Sequence, residues 1–167
     1  MQTRKRMRIY LAGPDVFMPD AADRAARMRA ACAAAGHEGV FPLDPPPEAA
    51  PPGTPEWLAI HLANEAHMRG CDGMIANITP FRGIAADPGT AWEMGFFRAL
   101  GRPVWAWTED MRDLAARVTP DGLMIEAFGL ADNLMLEGGV QLSGGRVFRG
   151  PGAFQKCLDQ ASSRSSA

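Results

Sequence analysis

Short apolar runs alternate along the chain with longer stretches in which apolar residues recur three and four apart. Residues 7–13, "MRIYLAG", predict a first strand that breaks at Gly13-Pro14. Residues 20–36 predict a helix closed by Gly36, and residues 37–44, "HEGVFPLD", a second strand. The Pro-rich residues 45–55 cannot form regular structure. Thr54-Pro55-Glu56 then opens a helix whose pattern runs through Trp57, Ile60 and Leu62 toward Gly70. Residues 71–79, "CDGMIANIT", predict a third strand, 90–100 a helix, and 102–108 a fourth strand. Beyond Thr108 the spans 111–118 and 151–163 carry a helical pattern, while 129–145 has too many glycines and too little period to assign.

Alternation of this kind predicts an α/β fold: one doubly wound, mostly parallel sheet flanked by helices, Rossmann- or flavodoxin-like. Residues 1–167 read as a single domain, with residues 1–6 as a flexible tail holding Arg4-Lys5-Arg6. Ligands of such sheets bind outside the carboxyl ends of the strands. That rule selects the loop after the first strand, with Tyr10, Gly13, Pro14 and Asp15, and the loop after the third, with Phe81, Arg82 and Asp87.

Composition narrows the class of partner. A formal charge of −2, with no basic stripe beyond the N-terminal run, argues against a nucleic-acid-binding surface. No apolar run approaches membrane-spanning length and the N-terminus lacks the apolar core of a signal peptide, so the expected compartment is the cytoplasm. Cys32, Cys71 and Cys157, odd in number and far apart, suit reduced thiols. His67 and Cys71 share a helical spacing, but two ligands do not make a zinc site; surface placement is expected for them and no metal is assigned.

Residues 82–97, "RGIAADPGTAWEMGFF", admit two readings of Glu93. Thr90-Ala91-Trp92-Glu93 fits a capping box, with Thr90 capping the helix and Glu93 returning a hydrogen bond from the first turn. In that reading Trp92, Phe96, Ala99 and Leu100 form the buried stripe. Asp87 lies just upstream, and two carboxylates at one helix mouth are equally a candidate acid/base or nucleophile pair.

Three segments resemble the nucleoside 2-deoxyribosyltransferase family: "IYLAGPDVF" at 9–17, "CDGMIANITPFRGIAADPGTAWEMGFFRALGRPV" at 71–104, and "FGLADN" at 128–133. The most specific is Asp87-Pro88-Gly89-Thr90-Ala91-Trp92-Glu93-Met94-Gly95, whose Asp-to-Glu spacing matches the family pattern in which the Glu is the nucleophile. The resemblance implies Glu93 as nucleophile and Tyr10 as the residue that positions it. It further implies Asp72 as an acid near the nucleobase, and Asp87 with Asn133 as groups that grip the sugar hydroxyls. For the general acid, Asp72 is the better candidate and Asp87 the second. Gly13, Phe17 and Arg82 are expected to line the substrate, with Phe17 either covering the base or anchoring its loop.

The implied substrates are a deoxynucleoside and a free nucleobase, with no cofactor. The implied assembly is a homo-oligomer in which Asn133 reaches a neighbouring subunit's site; the alternative is a monomer in which it fills a turn. Breaking an N-glycosidic bond builds positive charge on the sugar and negative charge on the departing base. A carboxylate is needed on one side and a proton source on the other. Two other readings stay open: an N-glycosidase acting on nucleosides or their monophosphates, for which Arg24 and Arg82 are candidate phosphate ligands, and a non-catalytic nucleoside-sensing module.

Overall fold

A computed structural model describes residues 6–164. Within them the chain runs β1 (Arg8–Ala12), α1 (Ala21–Ala34), β2 (Glu38–Val40), α2 (Glu56–Arg69), β3 (Gly73–Asn77), α3 (Pro88–Ala99), β4 (Val104–Thr108), α4 (Leu134–Leu142), β5 (Val147–Arg149) and α5 (Ala153–Arg164). Single 3-10 turns at Pro14–Phe17 and Leu114–Arg117 interrupt the loops. The strands form one sheet in the order β2-β1-β3-β4-β5, every pair parallel. The α/β doubly wound fold is therefore as the alternation predicts, in its flavodoxin-like order. Strand order reverses between β1 and β3, and a crevice opens at such a switch point.

Alternation along β1 divides the core. Ile9 and Leu11 face one side with Ile75, Trp105, Cys32, Cys157 and Leu158. Tyr10 and Ala12 face the other with Met74, Ala76, Met68, Met94, Phe97 and Val140. The first side is covered by α1 and α5, the second by α2, α3 and α4. Successive side chains on a pleated strand point to opposite faces, so five-residue strands buried on both faces read as continuous apolar runs.

The structure departs from the sequence reading in several elements. The second strand is confined to Glu38–Val40, because Phe41 closes a turn in which its N–H donates to Asp44 Oδ2 at 2.9 Å. The expected helix over 111–118 is only the 3-10 turn, and the unassigned span 129–145 holds α4. On α2 the apolar pattern does not mark the core: Trp57 is 71% exposed and Ile60 and Leu62 are also exposed, while His67 and Met68 are buried. His67 and Cys71 are thus interior rather than surface residues, His67 Nε2 lying 3.2 Å from the Asp44 carbonyl. All three cysteines are buried free thiols, and burial pushes each up to about 12 or beyond it. Of the expected tail, residues 1–5 lie outside the described residues, and Arg6 pairs with Glu38 at 3.5 Å.

Candidate functional site

The helix that carries Glu93 begins earlier than the capping-box reading places it. Asp87, not Thr90, is the N-cap: its Oδ2 accepts from the Thr90 N–H at 3.1 Å, and Pro88 takes the first helical position. Glu93 therefore stands in the second turn and does not cap. The buried stripe is Thr90, Met94 and Phe97, and Trp92 and Leu100 are exposed, contrary to the stripe expected from the sequence. Glu93 Oε1 instead accepts a 2.8 Å hydrogen bond from the Tyr10 hydroxyl, across 83 residues of sequence.

Glu93 lies on the wall of a cleft of about 260 Å³ between α2 and α3, lined by His61, Asn64, Met68, Gly89, Trp92 and Glu93, with Tyr10 buried behind it. Burial lifts the Glu93 carboxyl to about 7; the Tyr10 hydrogen bond opposes the rise and the nearby Asp87 carboxylate adds to it. Tyr10, fully buried, is driven far above the ordinary phenol range by burial first and by Glu93 second, so it remains a neutral donor. Oε1 is the oxygen that the phenol occupies. A carboxylate that has lost much of its water and is held by one neutral donor is poised to bond an electron-poor carbon. The apolar cleft of about 490 Å³ between α3 and α4 is larger, but Arg98 is its only charged lining residue, so it has no nucleophile.

The other expected site residues divide. Asp87 is near enough to raise Glu93, and its Oδ2 is the oxygen engaged at the helix cap. Gly13 sits at the carboxyl end of β1 with φ +149°, and a Cβ there would meet Asn77 Cβ at 2.5 Å. Asn77 Nδ2 donates to the buried Asp15 at 2.8 Å, tying the first loop to β3. Phe17 stacks on Phe81 with centroids 5.2 Å apart, and the Arg82 guanidinium lies 5.5 Å and 4.9 Å from their centroids. These three form a cluster on the first and third loops, and none lines the Glu93 cleft.

Asp72 is not brought to the cleft. It precedes β3 at the amino edge of the sheet, where its Oδ2 accepts from the Arg8 N–H at 2.8 Å. The strand runs away from Asp72 toward the ligand edge, so a residue just before a strand lands at the wrong end of it. Asn133 is the N-cap of α4: Oδ1 accepts from Met135 N–H at 2.9 Å and Nδ2 donates to Glu126 at 2.9 Å. It does not line its own chain's Glu93 cleft.

Two lining residues carry chemistry that the sequence reading did not single out. His61 and Asn64, three apart on α2, share one helix face. Their spacing was the available signal, masked by the apolar residues Trp57, Ile60 and Leu62 around them. Asn64 Oδ1 is buried without a hydrogen-bond partner, an uncommon and costly condition in a native interior. Asp132, also unremarked, is buried and accepts from Ala86 N–H at 2.8 Å, stapling the "FGLADN" segment to the loop that leads into α3.

Comparison with known proteins bears on the family and the fold. The family model described as nucleoside 2-deoxyribosyltransferase matches residues 9–135, spanning Tyr10, Asp87 and Glu93. A solved 2-desoxiribosyltransferase from Leishmania mexicana is 32% identical, with a TM-score of 0.72 over 91% of this chain and 97% of that one. A protein of Schizosaccharomyces pombe described as uncharacterized is 32% identical over 83% of this chain and 79% of its own. A 2-deoxyribosyltransferase from Bacillus psychrosaccharolyticus, 24% identical with a TM-score of 0.52 over 80% and 82% of the two chains, shares the fold. The chain belongs to the nucleoside 2-deoxyribosyltransferase family.

Proposed function

We propose that the protein transfers 2-deoxyribose from a deoxynucleoside to a free nucleobase through an ester on Glu93. The observation that carries this reading is the Tyr10–Glu93 hydrogen bond of 2.8 Å on the wall of a cleft, with a carboxyl lifted to about 7 by burial. Glu93 Oε2 attacks the anomeric carbon as the base departs, and the positive charge developing on the sugar is met by the carboxylate's own charge. Asp87 accepts from a sugar hydroxyl. A second base then attacks the same carbon from the vacated side and restores the carboxylate, so two inversions retain the anomeric configuration. Deoxyribose suits this chemistry because it lacks the electron-withdrawing 2-hydroxyl.

An unphosphorylated nucleoside fits better than a monophosphate. Arg24, one candidate phosphate ligand, donates to Asp15 at 3.0 Å and to Asp20 at 2.8 Å, so its charge is already met. Incubating a deoxynucleoside with a second base and separating the products tests the reading. A new deoxynucleoside is expected; free deoxyribose alone would indicate a hydrolase, and no turnover would indicate a binding module.

Asp72→Asn is expected to leave that turnover little changed, since the amide oxygen still accepts from Arg8 and the residue is remote from the cleft. Deleting a proton donor would instead cost about 10²–10⁴-fold. The turnover rate of the Asp72→Asn variant distinguishes the two.

The reading includes a homo-oligomer in which Asn133 completes a neighbour's site. What supports it is the exposed apolar surface beside Asn133, formed by Leu123, Met124, Phe128, Leu134 and Met135. Reaching a neighbour requires Nδ2 to exchange its bond to Glu126 for one to substrate. Mixing inactive Glu93→Ala and Asn133→Ala subunits under exchange is expected to restore activity, because some mixed sites then hold both wild-type groups. No recovery despite demonstrated exchange would place Asn133 outside the neighbour's site.

A further inference from the structure

We propose that His61 is the proton donor to the departing nucleobase, with Asn64 holding the base edge beside it; this rests on the transfer reading above. Of the six residues lining the cleft, His61 and Glu93 are the only two that titrate. Glu93 is committed to the sugar carbon and holds its hydrogen bond from Tyr10. The carboxylic acid expected for the base, Asp72, stands at the other edge of the sheet. Asn64 cannot supply a proton, because an amide is not an acid at working pH. Asp87, the other acid near Glu93, is taken up in this reading by the helix cap and a sugar hydroxyl, so the proton is assigned to the imidazole, a group suited to general acid–base catalysis.

The placement of His61 fits that task. Its ring packs edge-on against Trp92 of α3, with centroids 5.4 Å apart and planes at 63°, which fixes the imidazole over the cleft. Its Nε2 lies 3.4 Å from Glu65 Oε2, a counter-ion when the ring carries both protons, and Arg69 shares the same Glu65. The His61 side chain is 45% exposed, so the ring regains its proton from solvent between turnovers. Asn64 lies one helical turn further along the same face. Its Oδ1 is enclosed and unpartnered, and a turn of the side-chain amide on base binding would let it accept from a base N–H or exocyclic amino group and hold the base's ring nitrogens toward the imidazole.

The step balances. The bond between the anomeric carbon and the base nitrogen breaks, and its electron pair stays on the base. A proton passes from the imidazolium to a base ring nitrogen, and a bond forms between the anomeric carbon and Glu93 Oε2. Neutral base, neutral imidazole and neutral ester result. When the acceptor base attacks, the ester C–O bond breaks, Glu93 recovers its charge, and the imidazole takes the acceptor's proton.

A donor whose base needs no proton to leave separates this role from a structural one. In 7-methyl-2'-deoxyguanosine the base is already cationic and departs neutral, whereas 2'-deoxyadenosine gains from protonation. Base release by wild type, His61→Gln and Glu93→Gln is compared on both donors, with thermal melting as a control for folding. The expected result is that His61→Gln slows release from deoxyadenosine by about 10²-fold or more while release from the methylated donor stays near wild type. Glu93→Gln is expected to stop both. Equal losses on the two donors, or no loss on either, would overturn the assignment of His61. Wild-type protein that releases base from neither donor would overturn the transfer reading itself, and His61 with it.

Discussion

Glu93→Gln is expected to abolish sugar transfer and yet to give a protein more stable than the wild type above pH 7. Loss of a covalent nucleophile costs on the order of 10⁴–10⁶-fold in rate. The stability gain follows from the same burial that makes the carboxylate reactive. The folded protein holds the Glu93 carboxyl at about 7 against an ordinary 4.5, so it disfavours the charged form. A group raised in this way stabilises the fold below its unfolded value, and that stabilisation is lost as pH rises through the folded value.

Wild-type stability should therefore fall between about pH 4.5 and pH 7 by about 1–3 kcal/mol on account of Glu93, and the Gln variant should lack that fall. Urea denaturation of both proteins at pH 5 and pH 8 measures the difference. A variant less stable than wild type at pH 8 would contradict a desolvated carboxylate and would favour a stabilising role in the helix. Activity carries the opposite sign. The attacking form is the carboxylate, so the free enzyme's rate on 7-methyl-2'-deoxyguanosine, whose base leaves without a proton, should rise with pH through about 7.

The second large effect is on the scaffold. Gly13→Ala should destabilise the protein by about 3 kcal/mol or more. The backbone there has φ +149°, a region closed to side-chain-bearing residues, and a Cβ would press on Asn77 Cβ at 2.5 Å and lie 3.1 Å from Asp15 Oδ2. Both atoms belong to a buried polar link, Asn77 to Asp15 at 2.8 Å and Asp15 to Arg24 at 3.0 Å. Displacing it leaves a buried carboxylate short of partners, which adds to the steric cost. Denaturant midpoints would report the loss. A destabilisation under about 1 kcal/mol would mean that the loop can move away, and Gly13 would then be free to serve substrate rather than the sheet.

Elements with a strong period were legible in the sequence, and so were residues whose position depends only on their own strand or helix. The four strands read from apolar runs all exist, and the two residues that the resemblance paired, Tyr10 on β1 and Glu93 in the second turn of α3, lie within hydrogen-bonding distance. The start of α3 was less legible. Thr90 and Glu93 imitate a capping box, and Asp87 wins the cap because Pro88 next to it needs no N–H partner of its own.

Asp72 was misplaced because spacing alone does not say which end of a strand a flanking residue occupies. The α4 helix was hidden by Gly138-Gly139 and by Leu134, Met135 and Leu142, whose side chains stay exposed where a helical stripe would be buried. The β5 strand has three half-buried residues, too few to carry a period. His61 and Asn64 were obscured by exposed apolar neighbours on α2, which drew the apparent stripe to the wrong face.

Transfer as proposed requires Glu93 to bond covalently to the sugar, and that bond can be weighed. A deoxynucleoside analogue bearing fluorine at the 2-position of the sugar withdraws electron density and slows breakdown of the ester more than it prevents its formation. After incubation, the protein and its proteolytic fragments are analysed by mass spectrometry. The predicted result is a gain equal to the fluorinated sugar, confined to the fragment containing Glu93, absent in Glu93→Gln and discharged by added nucleobase with formation of a new nucleoside. An unmodified protein that nonetheless releases base from the analogue, or an adduct on any other residue, would contradict it.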